Sequence, residues 1–490
     1  MKKRVIIIMY TMLLTIVSNI VIGQSKRGNE WITGAGGTRI KFVNNTITTS
    51  NAIFYNSYFD SSNSSICDTN GNLILASDGF NIYDSMGNYI DGGDTLVPVS
   101  YYNHYSGSSF YSQSSIILPM DSNMYYFITP ANSEGNLCFS CHNDVMLYSV
   151  IDMNANGGAG KVVKRMIPFA TNGQFRRTQM MACRHANGKD WWLLKQAGDS
   201  NTVYKFLFTQ DSVYNKGTEQ FIEPLWGNWD IRGMSTFNIE GNKYATTSDA
   251  SGIWMGKIFL ADFDRCYGLL SNPKVITMPI GSQHNPNDTT ITEHMSVALA
   301  FSPNSEILYV ISMSNIYQYD LQNETWFHVV GLDTTYQKFQ NYDASYFGAD
   351  GKLYIGNFGG TSKQMSRIDN PDVQGVGCNF CARCLRLDTL GANAYAGTPP
   401  CMPNYSLGAQ ICWPESTKDI ENNKNKFEVY PNPSSTSLYI KTESKEQREL
   451  FNSIGQLLFT TKENEIDVRK YSKGVYYLKV ASKFKKIIIE

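Results

Sequence analysis

SPNSEILYVISMSNIYQYDL, residues 302–321, decides the fold. A polar turn, SPNSE (302–306), leads into an apolar run from Ile307 to Ile311, then a second short turn and a second run of aromatic and β-branched residues. Turns of this kind before such runs mark hairpins: branched and aromatic side chains suit a pleated surface, and Asn and Gly accept the turn dihedrals. The arrangement recurs. Asn72 to Ala76 follows DTNGN (68–72), Tyr125 to Thr129 follows PMDSN (119–123) and Trp191 to Lys195 follows HANGK (185–189). Lys243 to Thr247 follows IEGN (239–242), and Lys352 to Ile355 follows GADGK (348–352). The turns fall at irregular intervals of about 45 to 65 residues, which suits one four-stranded propeller blade with its loops. No amphipathic helix is legible from Trp31 to Tyr405. The expectation is an all-β chain whose residues 24–413 form a β-propeller of about seven blades, with a pair of β-sandwiches as the alternative.

The bulk numbers agree. At 490 residues the chain exceeds one ordinary domain. Lys+Arg 42 against Asp+Glu 43 gives a net charge of −1, so no electrostatic pull toward nucleic acid or anionic lipid exists. Charged residues are only 17% and aromatics 13%, ample material for a β-rich core.

Both ends carry delivery signals. Lys2, Lys3 and Arg4 precede an apolar run, Val5 to Ile22, and small residues Val21 and Gly23 stand before Gln24. That order predicts a signal peptide over 1–23; a retained anchor is the alternative, weakened by polar Thr11, Thr15, Ser18 and Asn19 inside the run. No later segment is apolar over spanning length, so no stable transmembrane span is expected after signal removal. No Cys precedes Cys67, which excludes a lipidated N-terminal Cys near the cut. At the other end, ESTKDIENNKNKF (415–427) is polar and poor in apolar residues, and residues 414–426 read as a linker. After it, LYIKT (438–442), ELFNSIGQLLFTT (449–461), GVYYLKVAS (474–482) and KKIIIE (485–490) alternate as strands, predicting a small Ig-like β-sandwich over 427–490.

These last residues resemble the type A C-terminal sorting domain of the type IX secretion system. FEVYPNP (427–433), with Pro431, Asn432 and Pro433, is similar to the family's first strand and its Pro-Asn-Pro corner. LFNSIGQLL (450–458), with Gly455, is similar to its central strand-turn-strand. IDVRKYSKGVYYLKV (466–480), with Gly474 and Tyr476, matches the segment ending in Gly-Val-Tyr, and FKKIIIE (484–490) closes the unit. The final Glu490 departs from the family, where a basic residue is common. The resemblance implies export, passage across the outer membrane with the type IX secretion machinery as partner, and removal of the module near the linker. The main region also resembles WD40-like or YVTN-like propellers of large secreted bacterial proteins. The segments that carry this are SICDTNGNLILASDGFNIYD (65–84), LYSVIDMNANGGAGKVV (147–163), VALAFSPNSEILYVIS (297–312) and MPNYSLGAQIC (402–412). That likeness implies a fold and no active site.

Few motifs carry chemistry. Cys138-Phe-Ser-Cys141-His142 spells a c-type haem attachment sequence, though in an exported chain the two thiols also suit a loop disulfide. Cys378, Cys381 and Cys384, with Cys401 or Cys412, have spacing for zinc, but the oxidising compartment favours disulfides among them. QHNPNDTTITEH (283–294) gathers His284, Asp288, Glu293 and His294, in a pattern that fits no helix face and reads as a loop. None of the six His neighbours a Gly-x-Ser-x-Gly elbow, so no catalytic residue is assigned and no cofactor is expected. Trp191, Trp192, Trp226, Trp229 and Trp254 fall close together; exposed, they would stack on sugars or partner proteins, and buried, they would pack blades.

The expectation is a secreted or cell-surface, non-enzymatic propeller engaged in binding, adhesion or surface assembly, with an extracellular glycan or surface protein as ligand. An extracellular glycan hydrolase or lyase is the alternative. Carboxyl groups from different blades converging at the channel would favour the enzyme. A mouth lined by aromatics and amides would favour the binder.

Overall fold

The computed structural model describes residues 26–490 except 45, 52–57, 110, 135–141, 199–201, 221–232, 248–255, 280–295, 314, 331–341, 358, 388–389, 391–393, 413–426, 443–444, 453–456 and 481–482. Two compact units divide the chain, Met1–Gly408 and Ala409–Glu490. Both are built from antiparallel sheets.

In the first unit, residues 302–321 form the heart of one four-stranded sheet. Its strands are Ser296–Phe301, Ile307–Ser312, Ile316–Asp320 and Trp326–Val330, in chain order across the sheet. The two middle strands are buried at every position, so both faces of the sheet are covered. That explains why their sequences are continuously apolar and aromatic rather than alternating. Two more sheets repeat the plan: Ser235–Phe237, Lys243–Thr247, Lys257–Asp264 and Leu269–Thr277, then Tyr342–Phe347, Leu353–Asn357, Gln364–Ile368 and Phe380–Arg386. The five turn-and-strand units read outward from 302–321 all appear, as strands Leu73–Ser77, Met124–Ala131, Trp191–Ala197, Lys243–Thr247 and Leu353–Asn357.

A seven-stranded sheet runs from Ile116–Pro119 to Val213–Gln220. At its centre lies one 24-residue strand, Lys161–Arg184. Its first part pairs with Asn143–Asp152 and is mostly exposed; its last part pairs with Trp191–Ala197 and is buried from Phe175 to Cys183. The register breaks between Phe175 and Met180, where the strand changes partners. One strand thus closes one four-stranded group and opens the next. Two further sheets precede it. One is ordered Thr46–Asn51, Thr38–Val43, Glu30–Ala35, Tyr58–Phe59; the other holds Ser64–Cys67, Leu73–Ser77 and Ile82–Tyr83. Among the described residues the one α-helix is the short Val99–His104, whose Tyr101 packs on Phe80.

First and last sheets of this unit are neighbours. Trp31 meets Tyr354 edge-on at 5.3 Å, in a cluster with Phe42, Met365 and Leu385. The Ala35 N–H donates to Gly360 O at 3.0 Å. Beyond the last strand, residues 394–408 form a strap with little regular structure. It is bound to several sheets in turn: Ala396 N–H to Ser362 O (2.6 Å), Cys401 N–H to Asn63 O (2.7 Å), Asn404 Nδ2 to Ile239 O (2.8 Å) and Tyr405 Oη to Ile117 O (2.8 Å).

The second unit holds two sheets. One is Glu428–Tyr430, Ser437–Lys441 and Glu465–Asp467; the other is ordered Leu457–Thr461, Arg448–Phe451, Gly474–Val480, Lys483–Ile489. Leu438, Ile440 and Ile466 of the first sheet and Leu450, Leu478 and Ile487 of the second share one core. The expected corner at Pro431 and Pro433 has both preceding peptide bonds cis. Asn432 sets its role: its Nδ2 donates to Lys486 O and its Oδ1 accepts from Ile488 N–H, both at 2.8 Å, stitching the corner to the last strand. Tyr476 is buried and donates to Ser472 O at 2.7 Å. Gly455 lies outside the described residues.

Candidate functional site

The first strands of neighbouring sheets stand beside one another. Ser296–Phe301 touches both Ser235–Phe237 and Tyr342–Phe347, and Ser64–Cys67 touches Ile116–Pro119. Where these strands end, they enclose a cavity of about 220 Å³, lined by residues 181–183, 236–239, 299–303 and 345–349 and by 402–407 of the strap. Phe237, Phe301, Tyr346, Phe347 and Tyr405 supply aromatic surface, and Asn238 and Asn404 supply amides. None of the lining residues is Asp, Glu, Lys, Arg or His. Ile239 lies on the rim, 41% exposed. The amides brace this rim: Asn238 Oδ1 accepts from the N–H groups of Asn242 and Lys243 at 2.9 Å, and Asn404 holds Ile239 O.

Where the strands begin, the side chains are polar. Ser112 donates to Asp343 Oδ2 at 3.1 Å. Gln113 Nε2 donates to Ser235 O at 2.8 Å and to Tyr346 Oη at 3.0 Å, so one amide ties two sheets to the turn that leads into a third. Gln179 Nε2 donates to Thr247 O at 2.6 Å. Asp60 is 3% and Asp343 1% exposed. Burial first, and then the nearby charge of Asp343, push the Asp60 carboxyl up to about 7. Two carboxyl groups therefore do converge, but in a closed, hydrogen-bonded setting. Sequence reading missed Asp60, Gln113, Gln179 and Asp343. The available signal was the small polar runs DSSNSS (60–65) and SQSS (112–115) just before apolar strands, which read as turns but line the approach of one sheet to another.

Two expected binding residues need correction. Trp191 and Trp192 are 1% and 3% exposed, with indole N–H groups donating to Pro119 O (3.1 Å) and Arg265 O (2.8 Å). They are core residues, because sheets cover both faces of their strand. Trp226, Trp229 and Trp254, residues 283–294, and Cys138 and Cys141 lie outside the described residues. The ring of His142 packs on Gly198, where a Cβ would sit 2.2 Å from it.

Among the cysteines, Cys412 is disulfide-bonded, as is Cys266, which the sequence reading had not singled out. Cys378, Cys381, Cys384 and Cys401 carry free thiols in this structure. Burial pushes the Cys401 thiol up to about 12. Among the described residues, no three His, Cys, Asp or Glu side chains come together as a metal site.

The second unit fixes the destination of the chain. Residues 428–490 match the family described as the secretion system C-terminal sorting domain. The chain is thus a type IX secretion substrate, exported and delivered to the cell surface, with that secretion machinery as its partner. Among the described residues no helix is long and apolar enough to cross a membrane. No curated protein matches the chain. Solved structures similar to it include a putative 6-phosphogluconolactonase from Bacteroides uniformis, 13% identical, covering 76% of this chain and 98% of its own, with a TM-score of 0.42. Apo AztD from Citrobacter koseri is 10% identical and covers 76% and 87%, with a TM-score of 0.35. An oligogalacturonate lyase in complex with manganese is 11% identical and covers 68% and 84%, with a TM-score of 0.36. These likenesses are remote in sequence and loose in shape.

Proposed function

We propose that residues 24–413 form a closed seven-bladed propeller and that, at the cell surface, it binds a neutral glycan terminus in the cavity beneath the strap. Three facts support the ring: a strand shared by two four-stranded groups, contact between successive first strands, and the Trp31–Tyr354 packing of first on last sheet. The buried Tyr476 with its bond to Ser472 O supports an Ig-like reading of residues 427–490, with 414–426 as linker.

The observation that carries the binding function is the lining of the cavity. Aromatic faces without a single charged group in the lining suit the apolar faces of an uncharged sugar, and Asn238 and Asn404, bonded within the rim, hold its shape. Adhesion or surface assembly follows if that sugar belongs to a neighbouring surface.

The second reading, a glycan hydrolase or lyase, is favoured by the Asp60–Asp343 pair, since a carboxyl lifted to about 7 is poised as an acid. Near-complete burial of both groups sets this reading below the first. A glycan array screened with the surface-delivered protein tests the proposal. Retention of uncharged glycans without cleavage supports it; uniform silence, or cleavage abolished by Asp60→Asn, overturns it.

A further inference from the structure

We infer that Cys381 and Cys384 become joined as a disulfide once the chain leaves the cytoplasm. Both lie on Phe380–Arg386, the outer strand of the last sheet of the first unit. In a regular strand, residues three apart point to opposite faces. Here the strand is not regular. Its register with Gln364–Ile368 shifts: Met365 faces Leu385 and Arg367 faces Cys381, so Ser366 alone stands opposite three residues, 382–384. Arg383 inside this bulge adopts a left-handed backbone, φ 51°.

The bulge brings the second side chain round toward the first. Cys384 Sγ lies 3.4 Å from Cys381 O. The two thiols also lie within hydrogen-bonding reach of each other; burial first, and then this contact, hold the Cys384 thiol high, at about 12. Both residues are half-buried, so a small oxidant or an oxidase can reach them. The third cysteine of the run differs. Cys378 is fully buried against Tyr309, away from solvent.

The chemistry needs an acceptor for two electrons, and export brings the chain to one: a dithiol oxidase of the cell envelope in its disulfide form. One thiolate of the pair attacks that disulfide, releasing one oxidase thiolate. The other then attacks the mixed disulfide, forms the Cys381–Cys384 bond and releases the second. Two protons leave the pair, and the oxidase ends as a dithiol. The product pins the bulge beside the Lys352–Asp369–Arg367 ion cluster.

The test uses the full protein collected from the cell surface, alkylated without reductant and digested with trypsin and chymotrypsin. Cleavage after Phe380 and Arg383 separates Cys378, Cys381 and Cys384 onto different peptides. The expected product is the 381–383 peptide bridged to the one that begins at Cys384, lost on reduction and absent from Cys384→Ser. Alkylation of both cysteines, or a bridge from either to Cys378, Cys138 or Cys141, would overturn the inference.

Discussion

Gln113, in the turn before the strand Ile116–Pro119, and Ser235, which opens the strand of another sheet, exchange two hydrogen bonds: the amide Nε2 donates to Ser235 O at 2.8 Å, and Ser235 N–H donates back to Gln113 Oε1 at 2.7 Å. An amide side chain thereby acts as a piece of backbone, pairing the open edge of a first strand. Gln113 is 0% exposed, so its loss leaves buried peptide groups unsatisfied. Gln113→Ala should lower stability by about 2–4 kcal/mol, read by urea denaturation. Gln113→Glu, which keeps the shape but loses the donor, should also destabilise at neutral pH. Wild-type stability in both variants would refute the tie.

Asp60 gives the protein a pH dependence with a definite sign. Its folded value, about 7, lies above the unfolded carboxyl value of about 3.9. The folded state therefore holds the proton more tightly, and this contribution is fully present below about pH 4 and lost as pH rises through 7. Asp78, wholly buried and pushed up to about 6, acts in the same direction. The carboxyls of Asp262, held low by hydrogen bonds from Asn272 and Lys243, and of Asp369, held low by Arg367 and Lys352, titrate below this window. Unfolding free energy should fall between pH 5 and pH 8. Asp60→Asn should flatten that slope and raise stability at pH 8 by up to about 4 kcal/mol. An unchanged slope in the variant would count against the burial argument.

Trp192 is structural. Trp192→Ala should cost about 3–5 kcal/mol, because it empties a buried indole site and removes one of the two hydrogen bonds to Arg265 O, leaving that from Ala186 N–H. Ligand affinity measured well below the melting temperature should stay at the wild-type level. A selective loss of affinity without loss of stability would restore this residue to the binding surface.

Asn432 holds the corner of the sorting domain to its last strand. Asn432→Ala removes both bonds, a loss of about 1–3 kcal/mol. Cell fractionation should then find less protein at the surface and more precursor in the periplasm. Normal surface delivery would show that the stitch is dispensable for export.

Much of the fold was legible because local chemistry and tertiary setting agree in it. The turn IEGN and the strand Lys243–Thr247 coincide with the sequence reading, since Gly241 needs φ +69° and the apolar residues after it are covered on both sides. The sorting domain was legible for the same reason: its strands alternate, with one face on a shared core. The site was harder to read. Its cavity is lined by four strand ends and a strap more than 200 residues apart in sequence, from Met181 to Leu407, and no local pattern encodes their meeting. Buried polar residues such as Gln113 look like turn residues until the partner strand is known. Cys266 posed the same problem, since no local spacing marks it for a disulfide.

The most direct test of the binding account is a substitution on the cavity rim. Ile239 is part of the lining, yet 41% exposed, so Ile239→Asp adds a charge there at little cost to the fold. Affinity for the strongest neutral glycan found on an array should be measured by titration calorimetry in wild type and in this variant, with melting temperatures alongside. The account predicts at least about tenfold weaker binding with the melting temperature nearly unchanged. Equal affinity in the two proteins would contradict it and place the ligand elsewhere.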